Sequence, residues 1–236
     1  MTTILKQFKI VILALTIVIG LGGCEATKNA NNKQKGAVIG AAGGAILGAI
    51  LGNNLGGGGN GELGAVIGGV VGGGAGVLIG NKMDKQAQKI EDEIPGAVVE
   101  RVDDGIIITF DENSGVFFDS GKYNLNAASN ANLDKLSGIL VEFSDTNVLV
   151  VGHTDSQGSD SSNLLLSERR AKAVTAYFTT TKGLSSARFT THWYGEQTPV
   201  GDNATTEGRE KNRRVNIAIV PNEKMKEDAK KQSGGN

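Results

Sequence analysis

The chain has 236 residues, of which 35 are glycine, and a formal net charge of −1. Glycine does not recur at every third position and only three residues are proline, which excludes a collagen-like chain. The near-neutral charge argues against a nucleic-acid-binding protein, which usually carries a basic face. The single cysteine excludes a disulfide framework within one chain.

Composition changes sharply along the chain. Nineteen glycines lie in residues 36–80, where Glu62 is the only charged residue. Phe8 is the only aromatic residue before Phe110, and the other ten lie in residues 110–194. We therefore expect a signal peptide (1–23), a lipidated tether (24–35), a glycine-rich segment (36–81), a charged linker helix (82–95), a globular domain (96–220) and a charged tail (221–236), which we interpret as a solvated extension.

The N-terminal segment has the pattern of a bacterial export signal. Two lysines precede an uncharged apolar run, Ile10–Leu21, of 12 residues. This run is shorter than the ~20 residues of a membrane-spanning helix and has the length of a signal-peptide core. It leads into Leu21-Gly22-Gly23-Cys24, which resembles the lipobox, whose cysteine becomes acylated and N-terminal. An uncleaved anchor, or an ordinary cleaved signal with a chance cysteine, remains an alternative.

Acylation of Cys24 predicts attachment to a membrane by lipid. Several acyl chains give stable attachment, whereas one chain binds only marginally. Glu25 follows the cysteine, and by resemblance to enterobacterial lipoproteins this favours the outer membrane, with the rest of the chain facing the periplasm.

The glycine-rich segment has a period of four residues. This spacing places glycine along one helix face, where a second helix can approach closely. Two such runs flank a glycine- and asparagine-rich turn, which predicts a helical hairpin resembling the glycine zippers of bacterial envelope lipoproteins. The periodic glycines are Gly36, Gly40, Gly44, Gly48, Gly52 and Gly56, then Gly64, Gly68, Gly72, Gly76 and Gly80.

Glycine weakens a helix by ~1 kcal/mol relative to alanine, so these runs need lipid or a partner helix. A flexible apolar linker is therefore an alternative to the hairpin. Membrane insertion and self-association in the periplasm both remain open. We expect Lys82–Glu93 to continue the second helix into water.

Apolar periodicity predicts an α/β domain in residues 96–220. The predicted order of strands and helices implies a mixed sheet with helices on one face. The predicted strands are 98–102, 105–110, 147–152, 188–194 and 214–220; the predicted helices are 130–143 and 163–179, with a short helix or turn at 205–212.

This domain resembles the OmpA-like, peptidoglycan-binding family over nearly its whole length, with its βαβαβ sandwich. The resemblance depends on an ordered series of motifs: Val116-Phe117-Phe118-Asp119, Gly152-His153-Thr154-Asp155, Gly158, Asn163, Leu166-Ser167, Arg170-Ala171, Val174, Tyr194-Gly195-Glu196, Pro199, Asn203, Glu207-Gly208-Arg209 and Asn212-Arg213-Arg214-Val215. Together with the lipobox and the zipper, it makes the whole chain similar to OmpA-family lipoproteins.

The family implies a ligand, the stem peptide of peptidoglycan, and above all the free end of its meso-diaminopimelate residue. That end carries one ammonium and one carboxylate. By resemblance, Asp155 accepts the ammonium and Arg170 binds the carboxylate through a planar fork. The further candidates are Thr154, Asn163 and Leu166, with Phe118 and Asn124 on the opposite wall.

Other interpretations of these residues remain. Asp155 and Arg170 could form a structural ion pair only. We expect Arg169 to lie on the surface, since it points about 100° away from Arg170 on a helix. The arginines after residue 208 are expected to support the fold or touch glycan; they are Arg209, Arg213 and Arg214.

The sequence does not favour an enzyme. His153 and His192 are the only histidines, and their spacing is not that of a metal site. We expect no cofactor. Besides a non-catalytic tether between the outer membrane and the cell wall, two alternatives stay open. One is an oligomerising or membrane-perturbing protein led by its zipper, and the other is a stator-like wall anchor.

Overall fold

The computed structural model describes residues 73–102, 104–110, 118 and 121–234. The expected signal peptide, the lipidation site at Cys24, the tether and most of the glycine-rich hairpin lie outside the described residues. Of the expected opening strand at 116–119 only Phe118 is described, and it belongs to no strand. No helix in the described ranges is long and apolar enough to cross a membrane.

Among the described residues, five strands form one mixed sheet in the order β1-β2-β5-β3-β4. β3 is parallel to β4, and every other pair is antiparallel. The predicted mixed-sheet α/β fold is therefore confirmed. The strands are β1 (Val98–Val102), β2 (Gly105–Phe110), β3 (Thr146–Gly152), β4 (Phe189–Trp193) and β5 (Val215–Pro221).

One edge of the sheet gathers three chain segments. Gly152, the last residue of β3, pairs with Trp193 at the end of β4 and with Val215 at the start of β5. The segments 153–159, 194–205 and 213–214 therefore leave or enter the sheet side by side. We call this region, with the helix that follows residue 159, the edge site.

In the part of the chain that the structure describes, five α-helices accompany the sheet: α1 (Gly74–Glu93), α2 (Ala127–Glu142), α3 (Asp160–Ala176), α4 (Thr206–Asn212) and α5 (Glu223–Ser233). Polar caps set where α2 and α3 begin, because Asn126 accepts from Ser129 N at 2.8 Å and Ser159 accepts from Ser162 N at 3.3 Å. Both helices start three residues before their predicted positions. In each helix the capping residue lies before the first apolar residue of the predicted helical pattern, so the pattern placed the start of the helix too late.

The helices cover one face of the sheet, as predicted. Alternate residues of a strand face opposite sides. Val148 and Val150 belong to the main core, which also contains buried side chains from α1, α2, α3 and α5. Leu149 and Val151 form a separate small cluster with Ala218 on the other face.

Residues 82–93 continue a helix, as expected, but this helix packs on the domain and does not extend into water. They are the second half of α1, which packs on the same core through Ile79, Met83, Ala87 and Ile90. These residues recur every three or four positions, so they form one apolar stripe between charged residues. Two zipper positions, Gly76 and Gly80, are also helical and buried on α1.

The expectation of a solvated C-terminal tail is also wrong. Asn222 caps α5 by accepting from Met225 N at 2.9 Å. Met225 and Ala229 are buried in the main core. A Cβ placed on Gly74 would lie 3.1 Å from Ser233 Cβ, so the start of α1 meets the end of α5. The C-terminal helix α5 therefore packs against α1 and the domain core.

We predict that Met225→Ala lowers the free energy of unfolding by about 2–4 kcal/mol, because Met225 is 2% exposed and its removal leaves a cavity. The exposed Lys231→Ala is the control and should change stability by less than about 0.5 kcal/mol. Urea unfolding followed by Trp193 fluorescence measures both. Equal, negligible effects would mean that α5 does not pack on the domain.

Candidate functional site

Close backbone contact joins the end of β3 to α3. A Cβ on Gly152 would overlap the Ser167 carbonyl oxygen and lie 3.0 Å from its carbonyl carbon. Only glycine therefore fits here. Ser167 Oγ also accepts from Gly195 N at 2.9 Å, and Thr154 N donates to Gly195 O at 2.8 Å. These contacts fix the segments after β3 and β4 against the first turns of α3.

Asp155 lies just beyond β3 and is 8% exposed. Its Oδ1 accepts from Gln157 N at 3.1 Å, and its Oδ2 accepts from Arg213 Nη1 at 2.8 Å. The nearby Gly158 has φ +109°, which lets the segment turn back toward α3. The carboxylate is thus held in the edge site by one backbone amide and one arginine.

Arg170 enters the edge site from α3 and is 3% exposed. Its Nε donates to Lys122 O at 3.1 Å. Its Cζ lies 5.2 Å from the centre of the Phe118 ring, and Phe118 is itself buried. Backbone and aromatic contacts therefore orient the guanidinium plane.

The other predicted site residues differ in their burial and in their hydrogen bonds. Thr154 and Asn163 are buried, and Asn163 Nδ2 donates to Glu196 Oε2. The Thr154 hydroxyl has no hydrogen-bond partner in the described part of the chain. Leu166 is half-buried on α3 between Asn163 and Arg170. Asn124 is exposed in the stretch that precedes α2.

Sequence reasoning missed two charged residues of the edge site. Arg213 was expected to support the fold or to touch glycan, but it forms the ion pair with Asp155. Glu196 had no assigned role, but it accepts from Asn163. The available signal was their position in the chain, because Glu196 follows the end of β4 and Arg213 precedes the start of β5. These two strand ends lie beside the end of β3.

A buried polar cluster supports the edge site from the other side of the strands. His153 Nδ1 is 2.8 Å from Thr198 Oγ1, and Arg214 Nη2 donates to Thr198 O at 3.0 Å. His153 and Arg214 are each 5% exposed. Burial lowers the pKa of Arg214 to about 10. Burial and then the charge of Arg214 hold the pKa of His153 well below its ordinary value of 6.5.

The described residues contain no group of three or more side chains able to hold a metal ion. The edge site brings together the carboxyl groups of Asp155 and Glu196 and the guanidinium groups of Arg170 and Arg213. Such an arrangement binds charged groups by charge-assisted hydrogen bonds.

We predict that His153→Gln reduces the loss of stability on acidification. The unfolded chain takes up a proton on this histidine as the pH falls below about 6.5, whereas the folded chain does not, so stability falls there. Between about pH 7.5 and about pH 5 the variant should lose less unfolding free energy than the wild type, by at most about 2 kcal/mol for one histidine. Urea unfolding at both pH values measures this.

His192→Gln is the matched control for this measurement. The pKa of His192 is also lowered by burial, but the residue is only half-buried, so its substitution should have the smaller effect. An unchanged pH dependence in His153→Gln would contradict the assignment of a buried, neutral His153.

Two family profiles match different parts of the chain. The profile of the OmpA family matches residues 117–213, and that of the YMGG-like Gly-zipper matches residues 4–84. The first covers the edge site from Phe118 to Arg213. The second covers the predicted signal segment, the glycine-rich segment and the first half of α1.

Three individual proteins show how far the similarity extends. The chain is 36% identical over 145 residues to the probable lipoprotein YiaD of Escherichia coli K12, covering 61% of this chain and 65% of that relative. It is 40% identical over 114 residues to the outer-membrane lipoprotein YfiB of Pseudomonas aeruginosa, covering 48% and 67%. The structure of the cell wall anchor of the T6SS from Pseudomonas aeruginosa matches with a TM-score of 0.51 at 28% identity, over 58% of this chain and 96% of that one.

The chain thus spans just under two thirds of the length of YiaD. The OmpA-family match at residues 117–213 includes β3, α3 and β4 and the two arginines Arg170 and Arg213. On the strength of these matches, the chain belongs to the OmpA family.

Proposed function

We propose that the chain is a non-catalytic outer-membrane lipoprotein whose edge site binds the stem peptide of peptidoglycan through the free end of diaminopimelate. Acylated Cys24 holds one end of the molecule and the edge site holds the other, so the protein tethers the membrane to the cell wall. The observation that supports the site most directly is the pair of opposite charges, Asp155 and Arg170, which are 8% and 3% exposed at one sheet edge.

Asp155 is the proposed acceptor for the ligand ammonium. A carboxylate offers about four acceptor positions, and Gln157 N and Arg213 use two of them. The ion pair with Arg213 fixes the direction of the carboxylate. In this role Arg213 is a positioning residue, because it acts on the ligand through Asp155.

Arg170 is the proposed receptor for the ligand carboxylate. A guanidinium binds a carboxylate through two parallel hydrogen bonds in one plane, which lysine cannot reproduce. The contacts of Arg170 with Lys122 O and the Phe118 ring hold that plane before a ligand arrives. Asn163 and Thr154 would add hydrogen bonds, while Leu166 and Asn124 would line the opening.

The relatives support both halves of the proposal. Two of them are named as lipoproteins, and a solved structure that matches over most of its length is described as a cell wall anchor. The lipobox-like sequence ending in Cys24 agrees with the lipoprotein names.

The zipper-led alternative also has support, because the Gly-zipper profile matches residues 4–84. In that case the glycine-rich segment would self-associate or act on the membrane, and the edge site would only place it at the wall. Gly76 and Gly80 are buried on α1, which shows that the last zipper positions can sit in a packed helix.

We predict that Arg170→Lys and Asp155→Asn each weaken binding of the tripeptide L-Ala-γ-D-Glu-meso-diaminopimelate by at least about tenfold, equivalent to about 1.4 kcal/mol. The first variant keeps the charge but loses the planar fork, and the second loses the charge. Isothermal titration with the detergent-solubilised full chain measures the affinity.

Matched controls are Arg101→Lys on β1, which is paired with Asp84, and Asp92→Asn at the end of α1. Both should bind the tripeptide like the wild type. Wild-type affinity in Arg170→Lys and Asp155→Asn would exclude the edge site as the receptor.

We also predict that lipid is the membrane attachment. Residues 25–236, exported behind a cleavable signal that carries no lipobox, should appear in the periplasmic fraction, whereas the wild type should require detergent for its release. A fatty-acid label should be incorporated into the wild type and not into Cys24→Ala. Detergent-dependent release of the lipid-free form would instead favour the zipper as an independent membrane anchor.

A further inference from the structure

The face of the sheet opposite the main core is apolar. Five side chains from three adjacent strands form it: Ile107 of β2, Leu149 and Val151 of β3, and Ala218 and Val220 of β5. They alternate along their strands with residues of the main core, so they point to the other side of the sheet. We call these five residues the second face.

The second face is almost completely buried, with side chains between 1% and 7% exposed. The apolar residues packed against it are Tyr194 and Val102, and neither belongs to a helix of the described ranges. Val98 points the same way from the edge strand β1, since it pairs with Thr109, but it is 49% exposed. The burial is confined to the central strands and arises within this one chain, so we expect a further segment of the chain to cover them.

The second face has a shallow groove that restricts what can cover it. Ala218 pairs with Ile107 on one side and with Leu149 on the other, so a small side chain lies between two large ones. Apolar surface on the covering segment adds favourable free energy in proportion to the area buried. Small residues in that segment let its backbone approach the groove closely. An apolar segment rich in glycine and alanine therefore fits best.

Residues 36–72 match this description. Of the sequence outside the described ranges, residues 24–35 and 111–117 are mainly polar, and residues 1–23 are the expected signal peptide. Residues 36–72 alternate glycine with alanine, valine, isoleucine and leucine, and as a glycine-rich run they need a packing partner. The central strands are about 20 Å long, which about 14 helical residues would cover, so the segment is long enough.

Polar groups at one end of the same face point to the same segment. Asn216 and Arg214 continue the alternation of Ala218 and Val220, and they bury one amide oxygen and two guanidinium nitrogens without a partner in the described part of the chain. Buried polar atoms without hydrogen bonds are costly, so a covering segment gains by supplying partners. Residues 36–72 carry one carboxylate, at Glu62, beside several asparagine amides.

We infer that residues 36–72 dock on the second face, so that the glycine-rich segment packs on its own domain. The segment is joined directly to α1, which itself packs on the main core. While it is docked, the segment is withheld from a bilayer and from other copies of the chain. This contact is independent of the ligand proposed for the edge site.

Photo-crosslinking tests the occupant directly. Residues 25–236 contain no cysteine, so Asn147→Cys, beside Val220 on this side of the sheet, can carry a single benzophenone maleimide. Trypsin cleaves after Lys35 and Lys82 and at no lysine or arginine between them. After irradiation, mass spectrometry should find the label joined to residues 36–72 of the same chain. The exposed Lys135→Cys on α2 is the matched control and should not be joined to them.

A crosslink between two chains would show that a second copy covers the face and would overturn the inference. So would a crosslink to residues 111–117 alone, or the absence of any crosslink to residues 36–72.

Cysteine protection is the second measurement. Ala218→Cys should resist a maleimide in the chain with its own glycine-rich segment, and it should lose this protection when residues 36–72 are replaced by a glycine-serine linker of equal length. Val98→Cys should react in both chains, because that position is exposed. Ser137→Cys, buried on α2, should stay protected in both, which separates loss of the cover from unfolding. Equal protection of Ala218→Cys with and without the segment would contradict the docking.

Discussion

The close approach of Gly152 to α3 is the constraint on which the edge site depends. No side chain fits between the end of β3 and the Ser167 carbonyl, so the strand can meet the helix backbone directly. That contact brings the segment carrying Asp155 against the helix carrying Arg170. The Ser167 hydroxyl then ties in Gly195, which adds the segment after β4. The absence of a side chain at Gly152 therefore determines which segments converge at the edge site.

The converging segments can hold opposite charges at low exposure because each charge has its own fixed contacts. Asp155 is held by an amide and by Arg213, and Arg170 by a carbonyl and an aromatic ring. Buried charges are costly unless such contacts compensate for lost water. On the other side of the strands, the neutral His153 and the nearby Arg214 are linked through Thr198, which stiffens the same edge.

Much of this architecture was predictable from local pattern. The uninterrupted apolar runs of β2 and β3 and the apolar stripe of α2 were sufficient, and the family resemblance supplied Asp155 and Arg170. The packing of α1 and α5 was missed because lysines and acids outnumber the apolar residues around Ile90 and Met225, and only the partner surface reveals their burial. Arg213 and Arg214 are equivalent neighbours in sequence. The backbone entering β5 sends one to Asp155 and the other to Thr198, and that direction is a tertiary property.

The central claim is that the edge site recognises an ammonium and a carboxylate at once. The most direct measurement is the affinity of the full chain, in detergent, for two tripeptides that differ only in their third residue, meso-diaminopimelate or L-lysine. Lysine keeps the ammonium and lacks the distal carboxylate, so it can satisfy Asp155 but not Arg170. We predict that the diaminopimelate peptide binds at least about ten times more tightly, equivalent to about 1.4 kcal/mol. Equal affinities would contradict the claim.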